Sequence, residues 1–340
     1  MPIENTRDWS RQASFPGQIV LLDGLTGTGK TMLMRLIDSY KNVSPPRFDY
    51  QLEQICIGIS ENRIEISAGI QLLQLLIDQR QYDAKLSREV NFRPGDLSSI
   101  FKSTKRFKYV QRLFRNDLKR SINELNDGTE QVFLVVHQLL DTSIILDEIP
   151  NKSVKRLLAT RHPYYLFDHW ASYCDMHGNS PNDFTITLHK TYQVPWFIKE
   201  SPEKFYSHSA EDKAALAIAE LTQRQISYLK GKPDVLVFDF EKFVLSPNKY
   251  LAKLDDLIGT NTNGISRKLR SQNLPREHIN SSTQKAIYKR YRSNLLTNDL
   301  SHKEDYRKLH KRISHSVSKS HFELLESAAK RYEEEFGLWF

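Results

Sequence analysis

A lysine in a glycine-rich loop, a histidine at the end of an apolar run and an arginine at the end of another are the residues of this sequence best placed to do chemistry. The loop reads Gly24-Leu-Thr-Gly27-Thr28-Gly29-Lys30-Thr31, a complete G-x-x-x-x-G-K-[ST] (Walker A) pattern. An apolar run precedes it and a helical pattern, Met32–Tyr40, follows it. Glycines let the backbone curl so that successive N–H groups point inward. The helix N-terminus adds positive potential, and Lys30 adds a full charge. Such a loop binds phosphate without naming a reaction. An ATP- or GTP-dependent enzyme also needs an acid at a strand end to order Mg²⁺. Beyond the strand that leads into the loop, Val132–His137 ends in histidine and Arg156–Thr160 runs into Arg161, so only the later run through Asp239 supplies such an acid.

The elements that must position these groups follow from the apolar pattern. Five short runs read as buried parallel strands: Ile19–Asp23, Val132–His137, Arg156–Thr160, Phe184–Leu188 and Val235–Phe240. Helical patterns such as Ile66–Gln81, Ala210–Leu229 and His321–Phe336 lie between and after them. Strands alternating with helices predict an α/β fold, a P-loop-type parallel sheet of about five strands flanked by helices. A mainly helical insertion is expected at about 41–131 and a helical C-terminal region at about 277–340. No Gly/Ser/Pro-rich linker interrupts residues 1–340, which predicts a single domain.

Composition narrows the class. With 39% hydrophobic and 26% charged residues the 340-residue chain is globular, and no apolar stretch approaches the length of a membrane span. Two cysteines, Cys56 and Cys174, and a polar start predict reduced thiols and a cytoplasmic setting. A net charge of +8 suits an anionic ligand. The densest basic stretch runs from Lys102 through Lys105, Lys108, Arg112 and Arg115 to Arg120. It reads as a solvated helix face opposite an apolar stripe of Phe107, Val110, Leu113, Phe114 and Leu118. No nucleic-acid-binding signature accompanies it.

The blocks that follow the loop resemble the sulfotransferase superfamily. Val-Phe-Leu-Val-Val-His137 is followed, 24 positions on, by Arg161-His-Pro163-Tyr-Tyr-Leu-Phe-Asp-His169-Trp-Ala-Ser172. Asp239-Phe-Glu241-Lys-Phe-Val-Leu-Ser-Pro247-Asn-Lys-Tyr-Leu251 is similar to a further block of that family, and Lys268-Leu-Arg270-Ser-Gln-Asn-Leu-Pro275-Arg276 to its basic donor-closing loop. The variant looks like a bacterial subgroup. The resemblance implies 3′-phosphoadenosine 5′-phosphosulfate as donor, with Gly27, Thr28, Gly29, Lys30 and Thr31 on its 5′-phosphosulfate. It implies Arg161, with His169 or Ser172, on the 3′-phosphate, and Arg276 closing over the donor. His137 is then the base, Lys30 stabilises the leaving phosphate, and no metal is required. Two departures stand out: the lysine comes late in the loop, as in nucleoside triphosphatases, and His169 occupies the place where the family usually has serine.

The physical argument agrees. A donor with two separated anions needs a second cationic site, and a guanidinium offers paired donors to phosphate. An imidazole is a suitable base near neutral pH. The polar loop around Pro94-Gly95, with Arg88, Asn91, Arg93 and Asp96, is the expected contact for the acceptor, a carbohydrate or small metabolite. The aromatic loop at Tyr192–Phe197 is expected to pack against the body of the protein. The alternative reading is a Walker A kinase or nucleoside triphosphatase.

Overall fold

A computed structural model describes residues 11–279 and 300–340, apart from positions 12, 97, 115–117, 180, 182, 190, 261 and 263. Arg115, and residues 280–299 of the expected C-terminal region at 277–340, therefore lie outside the described residues. The elements in chain order are β1 (Gly17–Gly24), α1 (Lys30–Ile37), β2 (Arg47–Phe48), α2 (Tyr50–Ser60), α3 (Ile66–Leu86), α4 (Arg106–Arg112), α5 (Leu118–Asn126), β3 (Val132–Val135) and β4 (Lys152–Thr160). They continue with α6 (Pro163–Met176), α7 (Pro202–Ser207), α8 (Ala210–Leu229), β5 (Leu236–Asp239), α9 (Phe240–Leu245), α10 (Pro247–Ile258), α11 (Ile265–Ser271), α12 (His302–Ser316) and α13 (Lys319–Phe336).

The strands form a five-stranded sheet of order β2-β3-β1-β4-β5. The β1–β3, β2–β3 and β4–β5 pairings are parallel, with Leu22 opposite Val135 and Thr160 opposite Asp239. Ile19, Val20, Leu21 and Leu22 of β1 are all buried, as the strands of a parallel sheet covered on both faces require. Among the described residues no helix is long and apolar enough to cross a membrane.

The chain forms two compact units. The first comprises Met1–Leu22, Met34–Arg156 and Ile258–Ile265; the second comprises Asp23–Leu33, Leu157–Leu257 and Ser266–Phe340. In the first, Gln131 Nε2 donates to the carbonyl of Ile258 at 3.0 Å, and Lys152 Nζ reaches Asp78 on α3 at 2.7 Å. In the second, α6, α8 and α13 pack together, and Tyr332 of α13 lies with its hydroxyl 3.2 Å from Thr160 Oγ1 at the end of β4.

Two expectations need correction. The run Phe184–Leu188 is not a strand of the sheet. It is a loop folded back on Val194–Trp196, with Leu188 N donating to Val194 O at 3.1 Å and Trp196 N to Ile186 O at 3.0 Å. Its apolar side chains alternate with threonine, and Phe184 and Leu188 are exposed, so it lacks the two covered faces of a central strand. The fifth strand is instead the two-residue β2, inside the 41–131 segment.

The basic stretch is also built differently from the expected solvated face. Phe107 and Phe114 are 74% and 80% exposed, whereas Lys105 and Arg112 are buried. Lys105 Nζ donates to the carbonyls of Tyr40 and Val43 and lies 3.6 Å from Asp38. Arg112 pairs with Glu130 at 2.8 Å. Burial pushes the Glu130 carboxyl upward, but Arg112, Lys108 and Lys85 outweigh it and hold its pKa down at about 2. Carboxylates and backbone carbonyls draw Lys105 and Arg112 inward, while Phe107 and Phe114 stay outside.

Candidate functional site

In the second unit the glycine-rich loop is held from three sides. Lys30 turns back over the loop and donates to the carbonyls of Gly24 and, at 3.0 Å, Leu25. Buried Thr28 closes the turn through its hydroxyl, 2.7 Å from Leu25 O. Trp170 on α6 donates its indole N–H to Thr26 O at 2.9 Å. Thr31, half-buried, lies in the first turn of α1.

The glycines have steric reasons. Gly29 has φ +87°, and a Cβ there would stand 2.5 Å from the Phe240 ring. Gly27 has φ +93°, and its Cβ would press on Leu166 at 3.2 Å and on the His169 ring at 3.4 Å. Both positions need left-handed backbone and close approach, which only glycine supplies cheaply.

Arg161 leaves β4 toward this loop. Its guanidinium donates to Gly27 O at 3.0 Å and lies over the face of Phe240, 4.4 Å from the ring centre. Arg276 approaches the same ring at 5.9 Å; its backbone N–H donates to Val244 O at 2.7 Å, and its side chain reaches Ile279 O at 3.1 Å. Nearby, Gln272 donates to Met32 O in the first turn of α1 at 3.0 Å. The loop, Arg161, Arg276 and the ring of Phe240 thus form one group of cations on an aromatic plate, an arrangement suited to anions. His169 lies beside the loop, and Ser172, half-buried, follows it by three residues on the same helix.

Behind Arg161 lies a buried carboxyl. Glu241 is fully buried, with Oε1 3.7 Å from Arg161 Nε, and the His162 N–H donates to both its oxygens at 3.3 and 3.4 Å. Burial pushes its pKa up to about 8, and neighbouring Asp239 adds to the rise while Arg161 opposes it. Asp239, the strand-end acid, caps α9 by accepting from Lys242 N at 3.1 Å. His162 is structural: fully buried, it begins α6 and sits 3.1 Å from Glu333 of α13.

His137 lies in the first unit. Its ring is stacked on Phe48 and Tyr50 at centroid distances of 5.6 and 5.7 Å. Glu53 of α2 accepts from the His137 backbone N–H at 2.8 Å and sits 2.9 Å from its Nδ1. A carboxylate on Nδ1 fixes the ring and its tautomer and leaves Nε2 as the basic nitrogen. The turn after His137 places buried Gln138 and Leu140 at φ +44° and +52°, a left-handed backbone that non-glycine residues rarely adopt.

Beside Phe48 is a cavity of about 240 Å³ lined by Arg47, Phe48, Arg80, Glu89, Asn91 and Ser98, among others. Of the expected acceptor residues only Asn91 lines it. Asn91 donates to Asp96 at 3.1 Å and Ser98 at 3.0 Å, a staple across the loop. Arg93 is 82% exposed and lies 3.8 Å from Asp96, and Arg88 lies over the Tyr82 ring. The aromatic loop packs as expected: Val194, Trp196 and Phe197 are buried, and Phe197 meets Trp170 edge to face.

Sequence reasoning missed Phe240, Trp170 and Glu53. Phe240 directly follows the strand-end acid, and Trp170 follows His169, but nothing in their spacing marks an aromatic plate or an indole donor. Glu53 stands 84 residues from His137 and is found only by the fold.

No protein-family model and no curated protein matches the chain. Among solved structures it is similar to a sulfotransferase domain from the olefin synthase of Synechococcus PCC 7002, with 14% identity over 91% of this chain and 98% of that one, at a TM-score of 0.38. A sulfotransferase domain from the curacin biosynthetic pathway has 12% identity over 89% and 99% of the two chains, at 0.40. A sulfotransferase of Mycobacterium avium has 11% identity over 89% and 77%, at 0.36. Identities and scores this low leave the functional reading to the residues themselves.

Proposed function

We propose that this chain is a sulfotransferase, moving a sulfonate group from 3′-phosphoadenosine 5′-phosphosulfate to a hydroxyl or amine of a carbohydrate or small-metabolite acceptor. The observation that carries the reading is Arg161. It extends the phosphate loop with a second cationic locus, backed by Phe240 and Arg276, which suits a nucleotide with two separated anionic groups.

In this reading Gly27, Thr28, Gly29, Lys30 and Thr31 receive the 5′-phosphosulfate, and Arg161, with His169 or Ser172, receives the 3′-phosphate. Nε2 of His137 takes the acceptor proton as the acceptor oxygen or nitrogen bonds to sulfur. The bond between sulfur and the bridging phosphate oxygen breaks, and Lys30 with the loop amides stabilises the charge left on that oxygen. Glu53 holds His137 in the tautomer this needs and stabilises the imidazolium that forms. Asp239 is already committed to capping α9, which favours a reaction without a metal-ordering acid.

Calorimetry with adenosine 3′,5′-bisphosphate and ATP, each with and without Mg²⁺, tests the assignment. Micromolar binding of the bisphosphate without metal is expected. Much tighter binding of Mg-ATP would replace this reading with the kinase or triphosphatase that the late position of Lys30 resembles.

A further inference from the structure

The second unit also holds a cluster unrelated to phosphate chemistry. Glu200 precedes α7, His208 follows it, and His321 lies in the first turn of α13. One ligand atom from each of these residues lies within 4.8 Å of the others. Glu200 Oε2 is 2.8 Å from His208 Nε2, and the rings of His208 and His321 stand edge to face at 4.3 Å. The three side chains are only 14%, 13% and 10% exposed.

We infer that Glu200, His208 and His321 form a binding site for a divalent transition-metal ion of the zinc class. Two imidazoles and a carboxylate suit Zn²⁺ or Co²⁺, whereas Ca²⁺ and Mg²⁺ take oxygen ligands. Around a tetrahedral zinc, ligand atoms stand about 3.3–3.6 Å apart, given bonds of about 2.0–2.2 Å. Reaching that size requires Glu200 Oε2 and His208 Nε2, now 2.8 Å apart, to part slightly and the third ligand atom, within 4.8 Å, to draw in, both by side-chain rotation. The surroundings already orient the ligands. Ser318 Oγ lies 2.8 Å from His321 Nδ1, which leaves Nε2 for the metal. Lys204 holds Glu200 Oε1 at 2.6 Å, leaving Oε2 for the metal. Asp212 Oδ1, 3.9 Å from His321 Nδ1, accepts from Ser318 N at 2.8 Å and fixes the turn that carries His321. Water completes the fourth position.

Such an ion joins the start of α13 to the α7–α8 junction. The same helix carries Tyr332 and Glu333, which hold Thr160 and His162 on either side of Arg161. The ion therefore steadies the helix that braces the Arg161 segment.

The test uses the tag-free full chain, stripped of metal and titrated with Zn²⁺ and Co²⁺. One ion should bind per chain. The Co²⁺ form should show intense tetrahedral d–d bands without a thiolate charge-transfer band, and Zn²⁺ should raise Tm. His208→Ala and His321→Ala should each weaken binding by about 100-fold or more, and the milder Glu200→Gln by about tenfold or more, since losing even an outer-shell partner costs about 10–100-fold. Circular dichroism on each variant checks that it is folded. A thiolate band, which would place the ion on a cysteine, would overturn the assignment. So would an affinity unchanged in both His208→Ala and Glu200→Gln, or the absence of binding to the wild-type chain at about 100 µM metal, where a site of Kd about 10 µM would be roughly nine-tenths full.

Discussion

Around the glycine-rich loop the charges are arginines and a lysine, held by backbone carbonyls and by the ring of Phe240. Around His137 the arrangement is reversed: one titratable ring is held by a carboxylate and clasped by Phe48 and Tyr50. In the proposed reaction the difference matches what each region would have to do. A nucleotide arrives with its charge, so permanent cations on a rigid frame serve it best. A proton has to be taken and released, so the group that handles it must change charge near neutral pH and be oriented by a partner. The comparison also predicts how each region fails: the loop region in affinity, the histidine region in rate.

The largest expected effect lies in the histidine region. His137→Ala should lower turnover by roughly 10²–10⁴-fold, the usual contribution of a general base, with bisphosphate affinity unchanged. Single-turnover loss of the phosphosulfate donor measures the rate even before an acceptor is identified. Glu53→Gln should cost about 10–100-fold and alter the pH–rate profile, since it keeps the shape but not the charge that fixes the tautomer. If His137→Ala lowers stability and bisphosphate affinity together, the histidine is a packing residue and the contrast between the regions dissolves.

The loop region should fail in affinity. Arg161→Ala should weaken adenosine 3′,5′-bisphosphate by about 2–4 kcal/mol, or roughly 30- to 1,000-fold in Kd. AMP, which lacks the 3′-phosphate, should change little. Equal weakening of both ligands would mean that Arg161 acts through its bond to Gly27 O and supports the loop rather than the nucleotide.

The two regions were also unequally legible in the sequence. The conformation of the glycine-rich loop was readable because its constraint is local. Gly27 and Gly29 need positive φ and bare Cα atoms, and a contiguous pattern records both. Arg161 was readable because strand order brings its strand end to a predictable place. Glu53 and Phe240 were not, because a carboxylate on a ring nitrogen or a ring under a guanidinium depends on tertiary approach, which leaves no fixed spacing. The helix at 106–112 misled for a related reason. Lys105 before it and Arg112 within it are drawn in by Asp38 and Glu130, partners distant in sequence, and Phe107, Leu113 and Phe114 are left exposed. Phe184–Leu188 had the alternation of a strand but no layer to cover its exposed side chains.

The smallest expected effect sharpens the comparison from inside the loop region, where one titratable group does sit behind the permanent charges. Burial, reinforced by Asp239 and opposed by Arg161, raises Glu241 to about 8. Below that pH the carboxyl is neutral and Arg161 presents its whole charge to the nucleotide; above it the carboxylate competes for that charge. The bisphosphate phosphates are already dianionic there, since their second ionisation lies near pH 6. Affinity should therefore fall by roughly fivefold between about pH 7 and 9, less than on deleting Arg161, because the guanidinium keeps its donors while its field weakens. Stability follows the same sign. A carboxyl raised in the folded state holds a proton that the unfolded chain gives up near 4.5, so stability is greatest below that pH, declines as pH rises toward 8, and then levels off. Glu241→Gln should flatten both profiles while leaving affinity at pH 7 close to wild type. Calorimetry across the pH series reads the first profile and thermal unfolding the second. An affinity that holds constant through pH 9 in the wild-type chain would mean that Glu241 does not change its charge over this range, and that no titratable switch lies behind Arg161.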